Sequence, residues 1–114
     1  MKNIKISFND TWNIVFGDVI LIDPRSIDFN NKHWERFKED IFQLKSKERG
    51  QLIDLGWYPE FDPNGKFKLM LIELIDDEES QIEQWLKPID FIVTDSIGLI
   101  QNKINEWSYG KTGI

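Results

Sequence analysis

Apolar and polar positions alternate along this chain with two different periods. Near the start, Ile4, Ile6 and Phe8 alternate with Asn3, Lys5 and Ser7, the two-residue period of a strand with one face buried. Asn9-Asp10 is turn chemistry, and Trp12–Phe16 reads as a second strand interrupted by Gly17-Asp18. Val19–Ile22 either continues that strand past a bulge or forms a separate short one, and Asp23-Pro24-Arg25-Ser26 stops it, because proline lacks the ladder donor. From Asp28 to Arg49 the period lengthens. Trp34, Phe37, Ile41 and Leu44 recur at three- and four-residue steps with Phe42 beside them, which predicts an amphipathic helix. Asn30 or Asn31 would cap it, Lys45, Lys47 and Arg49 would suit its C-terminal dipole, and Gly50 would stop it.

The strongest local signal follows. Leu52, Ile53, Leu55 and Trp57 form one apolar run and Phe67–Ile75 a second, with Asp62-Pro63-Asn64-Gly65 between them. Pro63 suits the second position of a type I turn, Asn64 tolerates the third, and Gly65 would accept the positive φ of a following bulge. The pattern predicts a β-hairpin. Leu69 to Leu74 is apolar at every position except Glu73, so this strand belongs mid-sheet with both faces covered, one by helices and part of the other by loops or a partner.

Asp76–Gln84 then reads as an exposed acidic loop, with room for a helical turn, Ile89–Val93 as a short strand, and Thr94, Asp95 and Ser96 as candidate caps. Ile97, Ile100, Ile104 and Trp107 give a second helical stripe that Ser108-Tyr109-Gly110 ends, leaving Lys111–Ile114 frayed. Two amphipathic helices covering one face of a four- to five-stranded, mainly antiparallel sheet make an α+β two-layer sandwich. At 114 residues the chain fits a single domain, 1–114, with a core of its own.

Composition narrows the possible chemistry. There is no cysteine, hence no disulfide framework, thiol nucleophile or Cys-ligated zinc. The opening MKNIKISFNDTW lacks a signal peptide's apolar core, and no apolar run approaches the roughly 20 residues that span a bilayer. These features lead us to expect a cytoplasmic protein without membrane association. Twenty acidic against 14 basic residues give a net charge of −6, which disfavours direct nucleic-acid binding and permits steering toward a basic partner. His33 is the sole histidine, and no nucleophile or carboxylate is marked out as its partner; a surface histidine accounts for it. There is no nucleophile elbow, phosphate loop or histidine pair. Asp76–Glu79 and Asp62–Gly65 lack the ligand spacing of a calcium loop. We therefore expect no catalytic residue, cofactor or metal, although abundant carboxylates leave a two-carboxylate hydrolase open. An adaptor module with merely solubilising acid is a further alternative.

What remains distinctive is acid beside aromatics. Glu60, Phe61 and Asp62 lie at the hairpin tip, and Asp76, Asp77, Glu78, Glu79 and Glu83 precede Trp85. Carboxylates attract a basic protein over distance and aromatics anchor it, so these nine residues are the candidate binding surface. The alternative places Trp57 and Trp85 in the core beside a solvated acidic loop.

Asp54-Leu55-Gly56-Trp57-Tyr58-Pro59-Glu60-Phe61-Asp62-Pro63-Asn64-Gly65, followed by Lys66-Phe67-Lys68-Leu69, resembles a block found in small bacterial immunity proteins, including those of contact-dependent growth inhibition systems. The later order is similar too: an acidic segment, a Trp, a Pro, a short strand, a Ser/Thr/Asp cap and a closing helix. The resemblance covers roughly Leu52 to Trp107. It implies a non-enzymatic protein that binds and blocks a cognate toxin C-terminal domain in the cytoplasm; we expect a monomer or a 1:1 heterodimer with that toxin, and the sequence is silent on the oligomeric state of the free protein. Many such toxins are nucleases, whose basic clefts suit an acidic inhibitor. The family fixes no universal interface, so the nine candidate residues rest on charge and exposure alone.

Overall fold

The computed structural model describes residues 2–110; the C-terminal segment Lys111–Ile114 lies outside them. Its elements are β1 (Asn3–Lys5), β2 (Asn13–Gly17), β3 (Ile20–Ile22), β4 (Phe42–Ser46), β5 (Gln51–Tyr58), β6 (Lys66–Glu73), α1 (Glu78–Leu86), β7 (Asp90–Thr94) and α2 (Ile97–Tyr109). The β5–β6 hairpin is the middle of a five-stranded antiparallel sheet ordered β2-β4-β5-β6-β7. The α+β class and the antiparallel sheet are as the sequence predicts. Val19–Ile22 resolves into a separate strand, since β3 pairs with β1 in a small sheet of its own.

The predicted helix over Asp28–Arg49 does not form. Asn31 does cap, its side chain accepting from the His33 amide, but only a 3₁₀ helix at Lys32–Arg36 follows. Phe42–Ser46 is then a strand between β2 and β5. Phe42, Leu44 and Ser46 are buried and Gln43 and Lys45 only partly so. The same apolar residues thus satisfy a two-residue period as well as a helical one, and pairing with two neighbouring strands decides between them. Gly50, at φ 63°, belongs to the β4–β5 turn rather than a helix end.

The acidic segment changes in the opposite sense. Asp77 accepts from the backbone amide and the hydroxyl of Ser80, which makes it the N-cap of a full helix, with Glu78 and Glu79 favourably placed in its first turn. Gln81 ties that helix to the end of β6, accepting from the Ile75 amide and donating to the Glu73 carbonyl. The final helix lies where its stripe predicts, and Ser96 is the cap.

The layers also differ from the expected arrangement. One sheet face presents Phe42, Leu44, Ile53, Leu55, Trp57, Phe67, Leu69 and Leu71 to Ile97, Ile100, Ile104 and Trp107 of α2, with residues of the β1–β3 region completing this core. The other face carries a smaller cluster of Leu52, Met70 and Ile72, against which pack Leu74, just past β6, and Trp85 of α1. The two helices therefore lie on opposite faces rather than sharing one. This explains why β6 is apolar at consecutive positions. Trp57 is 1% exposed in the core, whereas Trp85 is half-buried. No helix among the described residues is long and apolar enough to cross a membrane.

Candidate docking cleft

The hairpin tip is held by aromatic packing. The Trp57 ring lies 4.8 Å from Phe37, 4.8 Å from Phe67 and 5.8 Å from Trp34, centroid to centroid. Its indole N–H donates to the Asp62 carbonyl at 2.7 Å. Gly65 is not at positive φ; the residue of the tip that is left-handed is Phe61, at φ 64°. Gly65 is small for another reason: a Cβ there would run into the Trp57 ring and lie 2.9 Å from the Tyr58 carbonyl oxygen.

Residues 38–41 continue along β5 beyond β4. The Trp57 amide donates to the Lys38 carbonyl at 2.8 Å and the Ile41 amide to the Leu55 carbonyl at 3.0 Å, with Glu39 and Asp40 looped out between. The loop is drawn against Gly56, whose missing Cβ leaves space for the Glu39 carbonyl. Further contacts join it to the tip. The Phe61 amide donates to the Phe37 carbonyl at 2.7 Å, the Glu39 amide to Glu60 Oε1 at 3.3 Å, and the Tyr58 hydroxyl to the Glu39 carbonyl at 3.4 Å.

Between this segment and the β2–β3 region lies a cleft of about 710 Å³, with Phe37, Phe67, Leu21 and Ile22 among its lining residues. Phe16, Ile20 and Phe61 line it as well and are 38%, 46% and 49% exposed. Asp18, Glu35 and Asp40 contribute carboxylates, and Arg36 and Lys38 contribute cations. A bulky residue in the left-handed region is uncommon, and such outliers concentrate at functional sites. Beside the cleft, β2 is an edge strand exposed at all five positions, with no charge from Asn13 to Gly17.

Charge is distributed unevenly. The ion pairs gather along β7 and α2: Arg25 with Asp95 at 2.7 Å, Lys66 with Asp95 at 3.5 Å, and Lys103 with Asp90 at 3.1 Å and with Glu106 at 3.3 Å. Among the described residues, Asp18, Glu35, Glu39, Asp40, Asp54 and Glu60 take part in none of these. Burial first, and then the charges of Asp54, Glu39, Asp40 and Glu60, push the Tyr58 hydroxyl above its ordinary range.

Asp54 is only 6% exposed. Desolvation raises its pKa, the hydrogen bond from Gln43 (3.1 Å) opposes the rise, and nearby Asp40 adds to it. The folded state therefore holds this proton more tightly than the unfolded chain. Between the unfolded and folded pKa values stability falls as pH rises, and above the folded value the full cost persists. Asp54→Asn is expected to stabilise the protein at neutral pH, with the gain disappearing as pH falls below about 3.9, the unfolded Asp value. Urea unfolding of both proteins at neutral and acid pH measures this; a gain independent of pH would contradict the assignment. Asp54 is not among the residues that line the cleft.

Of the nine sequence-predicted surface residues, Glu60, Phe61 and Asp62 lie at the tip. Phe61 faces the cleft. Glu60 braces the 38–41 loop, and Asp62 organises the turn, its side chain accepting from the Asn64 amide and its carbonyl from the Gly65 amide. Asp76, Asp77, Glu78, Glu79, Glu83 and Trp85 lie beyond the opposite end of β6, an eight-residue strand spanning about 25 Å. The two acidic-aromatic segments are thus separate rather than one patch, because antiparallel pairing puts the hairpin tip and the start of α1 at opposite ends of the same strand. Phe16, Asp18, Ile20, Glu35 and Asp40 escaped the sequence reading. They come together only through the register of β2 with β4 and the bulge at Glu39-Asp40. The uncharged edge strand, exposed at all five positions, is visible only once its place in the sheet is known.

Among the described residues, no three or more His, Cys, Asp or Glu side chains are arranged to hold a metal ion. Comparison with protein-family models, curated proteins and solved structures found no match.

Proposed function

We propose that this protein is a non-catalytic immunity protein of a contact-dependent growth inhibition type. In this reading it binds and neutralises a cognate basic toxin domain, of nuclease chemistry, in the cytoplasm of the producing cell. One observation carries the binding part of this reading: exposed aromatics and carboxylates that take part in none of the ion pairs found among the described residues line one cleft, while those ion pairs gather elsewhere. Such an arrangement suits a partner that brings its own cations. The net charge of −6 and the family-like block around Trp57–Gly65 support the same reading.

The deciding experiment co-expresses this chain with the C-terminal domain of the large secreted protein encoded beside it, scoring growth and co-purification. Rescue from a lethal domain as a stable complex is the expected result; absence of both toxicity and complex would defeat the proposal. The association rate should also fall steeply with added salt, because exposed charge is screened over about 8–10 Å at physiological ionic strength. Stopped-flow association at two salt concentrations tests this, and a salt-independent rate would remove electrostatic steering from the account.

A further inference from the structure

Granting the binding reading above, we infer that the cleft between β2 and residues 35–41 is the anchoring seat for an arginine-bearing extended segment of the basic partner. The cleft combines what a guanidinium recognises. Phe16 and Phe61 offer exposed aromatic rings on its lining, and Asp18, Glu35 and Asp40 offer carboxylates. A planar guanidinium stacks on aromatic faces and takes carboxylates two hydrogen bonds at a time, which a lysine ammonium cannot. About 710 Å³ gives room for a side chain together with the chain that carries it, within the usual range of ligand clefts.

The opposing features have a physical answer. Arg36 and Lys38 also line the cleft, but both are exposed, and their flexible stems let the charged heads remain in water. Three carboxylates line the cleft, Asp18, Glu35 and Asp40, against these two cations, and Glu60 lies close by, its Oε1 accepting from the Glu39 amide beside Asp40. The other acidic surface, at the start of α1, is a poorer seat. The aromatic there, Trp85, packs inward against Leu52, Met70 and Ile72.

The test titrates the full-length, isotope-labelled chain at low salt with an acetylated, amidated tri-arginine peptide, and in parallel with its tri-lysine counterpart, following backbone amide resonances. Saturable shifts should centre on Gly17, Asp18, Glu35, Asp40 and Phe61, and tri-arginine should bind at least about threefold more tightly than tri-lysine. Combining Glu35→Lys with Asp40→Lys should weaken tri-arginine about tenfold, whereas Asp76→Lys with Glu79→Lys should leave it within about twofold. Phe61→Asn is the second variant. It suits the left-handed backbone, so it should fold normally and still weaken the peptide. Equal affinity for the two peptides, shifts centred on α1, or insensitivity to the cleft variants would overturn the seat. The toxin-rescue assay separates the two claims. Neutralisation that survives the cleft variants would leave the immunity reading standing and remove the seat. A tri-arginine seat without any toxin to neutralise would do the reverse.

Discussion

Trp57→Ala is expected to destabilise the protein by about 3–5 kcal/mol, the usual cost of truncating a fully buried large aromatic. Trp57 is 1% exposed and touches Trp34, Phe37 and Phe67 at once. Its removal opens a cavity that three rigid rings cannot collapse to fill, and it leaves the Asp62 carbonyl without the indole donor. Trp85 provides the internal control, since it is half-buried against a cluster of only Leu52, Met70 and Ile72. Trp85→Ala should therefore cost distinctly less. Urea unfolding of both variants measures the difference; equal costs would show that the Trp57 cluster is not the centre of the fold.

The second large effect is expected at Gly56. A methyl group there would collide with the Glu39 carbonyl and stand 2.8 Å from the Tyr58 ring. Backbone cannot rotate away as a side chain can, so Gly56→Ala should cost about 3 kcal/mol, the upper end for overpacking, or expel the 38–41 loop from β5. In either case the loop that places Asp40 at the cleft moves. A glycine in the interior of a central strand is otherwise unfavourable, and close approach of another backbone accounts for it. Thermal unfolding together with amide exchange at Trp57, whose N–H bonds the Lys38 carbonyl, would report both consequences. A stable variant with a protected Trp57 amide would contradict this packing.

Local chemistry made some elements legible in the sequence. The β5–β6 hairpin and α2 follow from runs, turn residues and a cap that act within a few positions of one another. At Phe42–Ser46 the sequence points to a helix because Trp34, Phe37, Ile41 and Leu44 fit a helical period, and only the place between β2 and β5 makes the strand the better solution. The opposite placement of α1 and α2 was present in the sequence only as the doubly apolar face of β6, which says that something covers each side without saying what. The sequence marks Phe61 as an exposed aromatic between two acids but points to Gly65 for the left-handed backbone that Phe61 adopts. Turn preferences favour glycine for that conformation, but the Trp57 indole bonding to the Asp62 carbonyl and the Phe61 amide bonding to the Phe37 carbonyl hold the tip differently. The cleft itself depends on residues more than twenty positions apart, such as Phe16, Asp40 and Phe61, and no local pattern links them.

The backbone of Phe61 has a consequence for how this protein would respond to selection for stability. A left-handed conformation costs a residue other than glycine roughly 1–2 kcal/mol, and the Phe61 ring, 49% exposed, regains little of that by burial. Asparagine or glycine at this position relieves the strain, so a laboratory search for heat-resistant variants would tend to recover them. Each would also strip the cleft of its most exposed aromatic. Thermostability and partner affinity should therefore move in opposite directions at this one residue, and a panel ranked by melting temperature alone would discard the better binders.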